Sequence, residues 1–510
     1  MSELNVVRKD FKDVEIKIAL CYPNLYQAGI ACYGIQLVYS IFNSFKQVQC
    51  ERFYYTPRGP LVSEESGQAL SNFDVICFSF QYELDYLNML SMLSRAKIQL
   101  YSEKRTAPLV IAGGPCVLEN PLPLSPFIDI FVLGDLEPIA EQLITSIIDY
   151  KNGKKSLTDF RDISGLFIPR EYDGERICKL TAKNLDECFH PTYQLVSEQS
   201  PFGKSLALEV SRGCPRGCKF CLIGYQGLPV RSRSLSPLKQ IIIKGIEHSR
   251  VKKITLIGSS LSDYPHLKEL CEFIAEQGLQ CSFPSMRLEV LSDTLLEHLH
   301  SLDVQTLSIA PETGSERLRD VIGKPVQEDV LLDCITRYAN AKIPSLKLYF
   351  LIGLPTETLD DVTAIPNLLS KLTQIYSPPS LQISINPFVP KPHTPFQWVP
   401  PIDLSYLQNA IKIIQKQTRA LKIYNPSFLD PRWARIQGLL SRGNRDLGNI
   451  LVEVMNQGRS LGAWRRVIKD CNFSIKTAQN FPAKLDDELP WDFIDVNVEK
   501  RRLLSLYQPS

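Results

Sequence analysis

Short apolar runs alternate with helix-length segments through the first 155 residues of the chain. Four runs are predicted to be buried strands, namely Ile16–Leu20, Phe73–Ser79, Pro108–Pro115 and Ile128–Gly134. The stretch from Ile35 to Phe45 has the spacing of a helix. Strands separated by helices favour an α/β fold with a doubly wound parallel sheet, in which ligands bind beyond the carboxyl ends of the strands.

The same alternation returns between residues 201 and 425, where six further apolar runs occur. These runs are Leu206–Val210, Ile254–Gly258, Gln280–Pro284, Val304–Ile309, Ser345–Ile352 and Leu381–Ile385. Six such repeats are consistent with a partial (β/α)6 barrel, a fold whose chemistry lies at the carboxyl ends of its strands.

Two segments without this alternation complete the chain. Residues 156–200 are interpreted as a connector, with a β-hairpin predicted around Asp173-Gly174. Helical spacing from Pro431 to Leu440 and from Asp446 to Met455 predicts a small helical extension. We therefore expect four parts, which span residues 1–155, 156–200, 201–425 and 426–510.

Composition narrows the classes of protein to which the chain can belong. Its 510 residues are 44% hydrophobic and 22% charged with a net charge of +2, so neither nucleic acid nor a membrane is indicated as a partner. No uninterrupted apolar run is long enough to predict a membrane-spanning helix. Fourteen cysteines without a visible secretory leader indicate a reducing compartment, and we expect a cytoplasmic protein.

Three cysteines stand close together just after the first strand of the third part. They form the run Cys214-Pro-Arg-Gly-Cys218-Lys-Phe-Cys221, with the spacing Cys-x3-Cys-x2-Cys. A structural zinc site uses four protein ligands, and no fourth Cys or His follows at a comparable distance in the sequence. Three thiolates on a four-iron cluster leave one iron open, so a reactive iron–sulfur site is favoured over a zinc knot or three buried thiols.

This motif, with Phe220 just before the last cysteine, resembles that of the radical S-adenosylmethionine (SAM) superfamily. The resemblance implies a 4Fe-4S cluster held by Cys214, Cys218 and Cys221, with SAM chelated to the open iron. In that family an electron from the reduced cluster splits SAM into methionine and a 5′-deoxyadenosyl radical. The resemblance also implies an electron donor, such as ferredoxin or flavodoxin, as a partner.

Residues at later strand ends are similar to those with which the superfamily holds SAM. Gly258-Ser-Ser260 stands where relatives have Gly-Gly-Glu-Pro, and Arg287 stands where a residue meets the SAM carboxylate. Glu312 resembles the acidic residue that contacts the amino group or the ribose. The implied SAM-binding residues are Phe220, Gly258, Ser259, Ser260, Arg287, Glu312, Gly353 and Pro355.

Loops of the first part are similar to those of the cobalamin-binding domain that precedes many radical SAM domains. The implied cobalamin-binding residues are Asn24, Tyr26, Gly29, Ser79, Gly113 and Gly114. The family's usual loop has Asp and His at the positions of Asn24 and Tyr26, so an imidazole ligand to cobalt is excluded there. Relatives without this His bind cobalamin, and a flavodoxin-like domain without a cofactor is the open alternative.

The resemblance implies an enzyme that activates a C–H bond with the 5′-deoxyadenosyl radical, and cobalamin-dependent methyl transfer to an unknown substrate is the specific reaction that we expect. One alternative is a methylthiotransferase with a second cluster on Cys21, Cys50 and Cys116. Another is a non-catalytic iron–sulfur or cobalamin redox sensor.

The sequence leaves the roles of three further residues open. His393 lies in a proline-rich loop and is interpreted as hydrogen-bonded scaffold rather than as a catalytic group. Arg442 and Arg445 are interpreted either as holders of an anionic substrate group or as part of a solvated helix junction.

Overall fold

The computed structural model describes residues 3–287, 293–423, 426–471, 485 and 487–507. The chain divides into two units, each with its own core. Unit 1 comprises Met1–Lys204, Lys244–Arg250 and Leu439–Val498. Unit 2 comprises Ser205–Ile243, Val251–Gly438 and Glu499–Ser510. Both are α/β structures with parallel sheets, which confirms the predicted fold class.

Unit 1 contains a six-stranded sheet with the strand order β2-β1-β3-β4-β5-β6. Its strands are β1 Ile16–Tyr22, β2 Val48–Tyr54, β3 Val75–Ser79, β4 Leu109–Gly113, β5 Ile130–Val132 and β6 Leu166–Phe167. β1 to β5 are parallel and almost entirely buried, whereas β6 pairs antiparallel with β5. Parallel strands of this kind are buried because both faces of the sheet are covered.

Five helices connect these strands. They are α1 Tyr26–Ile30, α2 Tyr33–Ser44, α3 Tyr86–Arg95, α4 Pro115–Glu119 and α5 Ala140–Lys151. The predicted helix at residues 35–45 and the four predicted strands are confirmed. β2 is a fifth parallel strand that the apolar pattern did not predict.

Unit 2 carries two parallel sheets, with the orders β12-β11-β8 and β13-β14-β15-β16, and a two-stranded antiparallel pair of β9 with β10. The strands are β8 Leu206–Glu209, β9 Ser211–Arg212, β10 Arg231–Ser232, β11 Lys253–Ile257, β12 Gln280–Ser282, β13 Thr306–Glu312, β14 Ser345–Ile352, β15 Leu381–Pro387 and β16 Ser427–Phe428. The Met286 N–H donates to the Ser308 carbonyl at 2.9 Å and links the two parallel sheets beyond β12. All six strands predicted for this part are present.

Helices connect the strands of unit 2, and some of them begin at a residue whose side chain caps the helix N-terminus. They are α6 Ile223–Gln226, α7 Leu235–Ser249, α8 Leu267–Glu276, α9 Asp293–Ser301, α10 Glu316–Val321, α11 Glu328–Asn340, α12 Leu359–Leu372 and α13 Leu404–Ala420, and α14 Pro431–Arg442 follows β16. The C-terminal residues of α7 and α14 belong to unit 1. Thr358 and Asp361 form a capping box at the start of α12, and Asp403 caps α13. None of the described helices is long and apolar enough to cross a membrane.

The two helices predicted for the C-terminal region, at residues 431–440 and 446–455, are present, and the helices of this region are divided between the two units. Helices α15 Leu447–Asn456 and α16 Leu461–Asp470 belong to unit 1, whereas α17 Lys500–Tyr507 belongs to unit 2. The amide of Asn120, which is 1% exposed, donates to the carbonyls of Ser441 at 3.1 Å and Gly443 at 2.7 Å. The segment is therefore anchored to the sheet domain by contacts between residues more than 300 positions apart, which local spacing does not reveal.

The hairpin predicted around Asp173-Gly174 is wrong. β6 pairs with β5, and β7 Ile177–Cys178 pairs in parallel with β17 Ile494–Asp495. The residues on either side of the turn pair with strands elsewhere in unit 1 instead of with each other.

Asn120→Ala is expected to lower the free energy of unfolding by about 2 kcal/mol, because two buried carbonyls lose their donor. Chemical denaturation of the full chain measures this change. Asn72→Ala is the control, since Asn72 is exposed and its amide donates to Gln68 in an exposed hydrogen bond, and it should alter stability by less than about 0.5 kcal/mol. Equal effects of the two substitutions would contradict the anchoring role of Asn120.

Candidate active site

The three motif cysteines lie on a loop between β9 and α6 that is shaped by glycines. Gly213 has a φ of +84°, and a Cβ there would lie 2.3 Å from the Gly227 carbonyl oxygen. The Tyr225 hydroxyl donates to the Gly217 carbonyl at 2.9 Å and ties the middle of the loop to α6. These contacts fold the loop back on itself and direct its thiols toward a shared space.

Gly213→Ala is expected to abolish most cluster incorporation, because its methyl group collides with backbone that has no room to move. Gly217→Ala is the matched control: its φ is +66°, but the nearest atom to the added Cβ is 3.9 Å away. The control should cost only about 1 kcal/mol of backbone strain and retain most iron. Iron per chain after anaerobic reconstitution measures both, and similar losses would contradict this geometry.

The three thiols lie close enough to charged groups of neighbouring loops to interact with them electrostatically. Burial raises the pKa of Cys218, while Lys324 and Arg287 lower it. Burial also raises the pKa of Cys221, which is opposed by hydrogen bonds from the backbone N–H groups of Gly224 and Ile223. Two cations and two N–H donors therefore stabilise thiolates in a region that otherwise disfavours them.

Glu312 stands at an irregularity at the end of β13. The register between β13 and β14 shifts between Ile309 and Glu312, and Glu312 has a φ of +67°. A left-handed conformation is unfavourable for a residue with a Cβ and is often retained at functional sites. Here it holds the carboxylate against Lys324, whose Nζ lies 2.9 Å from Oε1.

The Glu312–Lys324 pair also interacts with Arg287. Burial raises the pKa of Glu312, and Lys324 and then Arg287 lower it. The backbone N–H of Arg287 donates to the Ser262 hydroxyl at 2.9 Å. The predicted residues Arg287 and Glu312 are thus brought together with Cys218, and Lys324 joins them as a cation that sequence analysis missed.

The segment Gly258–Ser260 follows β11. A Cβ at Gly258 would lie 2.8 Å from the Ser211 hydroxyl, so this segment packs closely against β9. Asp263 accepts hydrogen bonds from Ser260 and from Arg216, whose Nε lies 3.0 Å from Oδ2. The Ser260 side chain is therefore engaged within the protein, and roles for Gly258, Ser259 and Ser260 toward SAM stay predictions.

The loop after β14 contains a buried carboxyl group that organises its backbone. Glu357 accepts from the N–H of Gly353 at 2.7 Å and from the Tyr406 hydroxyl at 3.0 Å. Gly353 has a φ of +81°, and a Cβ there would meet Leu407 at 2.8 Å. Burial raises the pKa of Glu357 to about 7, although these hydrogen bonds lower it.

This carboxyl group predicts a pH-dependent stability. Because the folded-state pKa of Glu357 lies above its usual value of 4.5, the folded state holds the proton more tightly, and stability is lost as pH rises from about 4.5 to about 7. After allowance for partial exposure, the loss is on the order of 2 kcal/mol. Glu357→Gln should remove that loss in denaturation measured between pH 5 and 8. An unchanged pH profile in the variant would contradict the assignment.

Phe220 packs beside an apolar cluster in unit 2. The cluster comprises Leu318, Ile322, Leu354, Phe388, Phe396 and Val399. Leu354 lies between the predicted residues Gly353 and Pro355, so Phe220 and the loop after β14 share one apolar surface. His393 is 5% exposed, and its backbone N–H donates to the Gln397 side chain at 3.0 Å. These observations do not concern its imidazole, whose interpretation as scaffold stays a prediction.

In unit 1, several of the predicted residues lie at the point of the sheet where the strand order reverses. The order β2-β1-β3-β4-β5 places the reversal between β1 and β3, and ligands bind at such points in open α/β sheets. Asn24 follows β1, Ser79 ends β3, and Gly113 ends β4 directly beside Ser79 in the register. Asn24 donates to both oxygens of Asp85, at 2.8 and 3.0 Å.

Other predicted positions of unit 1 serve close packing. A Cβ at Gly29 would lie 2.2 Å from the Tyr54 ring, and one at Gly114 would lie 2.5 Å from the Phe80 carbonyl. The Tyr26 hydroxyl donates to Glu3 at 2.6 Å. Tyr26 also lines a cavity of about 1100 Å³ in unit 1. These residues do not supply an imidazole, so cobalamin would have to bind here without one from this loop.

The cysteines considered for a second cluster do not converge on one face of the sheet. Cys50 lies beside Ile18 in the register of β1 and β2, whereas Cys21 lies three residues further along β1, and side chains alternate between faces. Cys116 lies on α4 beside Glu119. This arrangement weighs against a cluster held by Cys21, Cys50 and Cys116.

Two groups that organise the predicted site differ in how far the sequence indicates them. Lys324 lies in Ile-Gly-Lys-Pro after α10, and Glu357 lies three residues beyond Leu354. Glu357 belongs to a recognisable Gly-x-Pro-x-Glu pattern, which could have indicated it. Lys324 carries no such signal, because its role depends on how the loop after α10 returns to β13.

Two protein-family models match the chain. The model of the N-terminal region of radical SAM proteins matches residues 34–169, and the model of the radical SAM superfamily matches residues 208–369. An uncharacterized protein of Methanocaldococcus jannaschii is 31% identical over 436 residues, which cover 85% of this chain and 90% of that protein. A putative methylthiotransferase of the same organism is 24% identical over 202 residues, covering 36% of this chain and 44% of the relative.

The fold is also similar to that of a solved radical SAM methyltransferase. TsrM from Kitasatospora setae, with tryptophan substrate and a SAM analogue bound, superimposes with a TM-score of 0.53 and 14% identity, covering 74% of this chain and 75% of TsrM. At this identity the similarity concerns the fold. The two family models together match more than half of the chain, and the three cysteines lie within the second. The chain therefore belongs to the radical SAM superfamily, as the cysteine motif indicated, and is an enzyme that uses a 4Fe-4S cluster and SAM.

Proposed function

We propose that the chain is a cobalamin-dependent radical SAM enzyme that transfers a methyl group to an unreactive carbon. The observation that supports this proposal most is the placement of Asn24, Ser79 and Gly113 around the β1/β3 reversal of unit 1. The same chain carries the open-iron cysteine motif in unit 2. When bound, the cluster and SAM supply a carbon-centred radical, and cobalamin supplies a methyl carrier.

In unit 2, the proposed roles follow from charge and position. Cys214, Cys218 and Cys221 are the proposed ligands of three irons. The guanidinium of Arg287 would pair with the carboxylate of SAM, for which its planar donors are suited. Glu312 would accept from the SAM ammonium group, and Lys324 would hold Glu312 ionised for that contact.

In unit 1, Ser79 and Gly113 form the proposed floor of the cobalamin site. A Cβ at Gly113 would make ordinary van der Waals contact with Val132 at 3.6 Å, so this strand end has room for a methyl group. Asn24 is held by Asp85 and would keep the loop after β1 in place. Tyr26 stands where an axial imidazole would otherwise come from, so the proposal requires cobalamin without a histidine ligand from this loop.

The test is reconstitution of the full chain with iron, sulfide and hydroxocobalamin without oxygen. We expect about four irons and about one cobalt per chain, with dithionite-dependent formation of 5′-deoxyadenosine from SAM. Gly113→Leu should block cobalamin while leaving the iron content unchanged. Gly462→Leu, in α16 of the same unit, is the control and should retain cobalt. Absence of cobalt from the parent protein would overturn the cobalamin proposal.

A methylthiotransferase is the second candidate, because the relatives that the chain matches include several such enzymes. Those named as tRNA-2-methylthio-N(6)-dimethylallyladenosine synthase include one from Wolbachia pipientis, 24% identical over 334 residues. About eight irons per chain without cobalt would favour this candidate. The sensor alternative is not supported, because the superfamily is one of enzymes.

A further inference from the structure

Three side chains of types that bind metal ions converge inside unit 1. Glu83 follows β3, while Cys116 and Glu119 lie one turn apart on α4. A carboxylate oxygen of each glutamate and the Cys116 sulfur all lie within 4.8 Å of one another. None of the three residues is more than 4% exposed, so the cluster is closed to solvent.

A fourth polar group faces this cluster. Tyr86, at the start of α3, is fully buried and interacts electrostatically with Cys116 and Glu119. Within the described part of the chain, its hydroxyl has no hydrogen-bond partner. A buried hydroxyl without a partner costs free energy, so a bound ligand beside it would account for its position.

Thiol and carboxyl groups of this kind bind a metal ion in their deprotonated form. Burial raises the pKa of Cys116 and of Glu119, and Arg442 is a cation that lowers the pKa of Glu119. A bound divalent cation would displace the protons from these groups and compensate the negative charge that this creates. Asp85 also lies near Cys116, but Asn24 and Asn88 donate to its carboxylate.

We propose that Glu83, Cys116 and Glu119 bind a divalent cation of the zinc class, with the Tyr86 hydroxyl facing the ion. One thiolate with two carboxylates suits Zn²⁺, Fe²⁺ or Co²⁺, whereas Mg²⁺ and Ca²⁺ prefer oxygen ligands alone. Because the site is closed, its role is structural: it joins the loop after β3 to α4. Neither SAM cleavage nor cobalamin binding requires this ion, so the inference goes beyond the proposed function.

The experiment uses the full chain with Cys214, Cys218 and Cys221 all replaced by alanine, which removes the predicted iron ligands. Co²⁺ alone is titrated into the metal-free protein without oxygen. We expect a single equivalent to bind with a near-ultraviolet thiolate-to-cobalt band. Zn²⁺ should abolish the band by displacement.

Further substitutions in this background locate the site. Cys116→Ser should eliminate the band, and Glu83→Gln should weaken Co²⁺ binding by at least about tenfold. Cys77→Ser, which changes another buried cysteine of unit 1, is the control and should retain the band. A band that persists in Cys116→Ser, or one that is lost in Cys77→Ser, would overturn the proposal.

The proposed site can be tested even if the Cys116→Ser variant does not fold. The unfolding midpoint of the parent with intact Cys116 should rise with Zn²⁺ concentration, because the ion binds the folded state. A midpoint independent of Zn²⁺, or no Co²⁺ band in the parent, would equally overturn the proposed site.

Discussion

Cys218→Ala is expected to reduce SAM cleavage to the level of the uncatalysed control. Cys218 is one of three predicted iron ligands, and it interacts electrostatically with Cys214 and Cys221. With only two thiolates the cluster has lost one of its three predicted bonds to the protein. Iron content should fall with activity, because the defect lies in assembly rather than in a later step.

The control for this prediction is a second buried cysteine of unit 2. Cys271 lies on α8 and is fully buried, but it is not among the groups that interact with the motif cysteines. Cys271→Ala should retain iron and 5′-deoxyadenosine formation, with only a modest loss of stability. Cleavage that survives in Cys218→Ala would show that this thiol is not an iron ligand.

Lys324→Gln is expected to weaken SAM binding at least about tenfold and to lower the free energy of unfolding by about 2 kcal/mol. The substitution leaves Glu312 buried without the ammonium group that lies 2.9 Å from it. The pKa of Glu312, already raised by burial, should rise further. A larger protonated fraction of Glu312 would weaken its attraction for the SAM ammonium group. Equilibrium binding of SAM to reconstituted protein and denaturation of the apoprotein measure the two effects.

Two further variants separate charge from general destabilisation. Lys324→Arg keeps the positive charge and should recover much of the SAM affinity. Lys347→Gln removes a lysine of β14 that lies over the Tyr349 ring, and it should leave SAM affinity unchanged. If Lys324→Gln bound SAM as the parent does, Lys324 would have no part in the site.

The sequence predicts most of the scaffold, because its strands are apolar along their length. Six of the nine described strands of unit 2 and four of the five parallel strands of unit 1 follow from such runs. β2 was missed because it buries Gln49, Glu51 and Arg52. Arg52 is satisfied by Glu65 at 2.6 Å and by Glu3 at 2.6 Å, partners that are distant in the sequence. A strand whose polar residues are paired by remote groups has no apolar signature.

Residues of the candidate site could be predicted where a side chain of suitable chemistry occurs at the end of a predicted strand. Cys214, Cys218, Cys221, Arg287 and Glu312 satisfy both conditions. Lys324 does not, since it follows a helix and reaches Glu312 only after the chain returns to β13. The same limit applies to Arg442, which is 1% exposed and interacts with Glu119. The interpretation as part of a solvated helix junction is therefore wrong for Arg442, and its role toward an anionic substrate group stays a prediction.

The central claim is that three cysteines leave one iron of the cluster open to SAM. Mössbauer spectroscopy of ⁵⁷Fe-reconstituted protein, recorded with and without SAM, tests this claim most directly. We predict that one iron in about four differs from the rest and that SAM changes its signal alone. Four equivalent irons with no response to SAM would contradict the account.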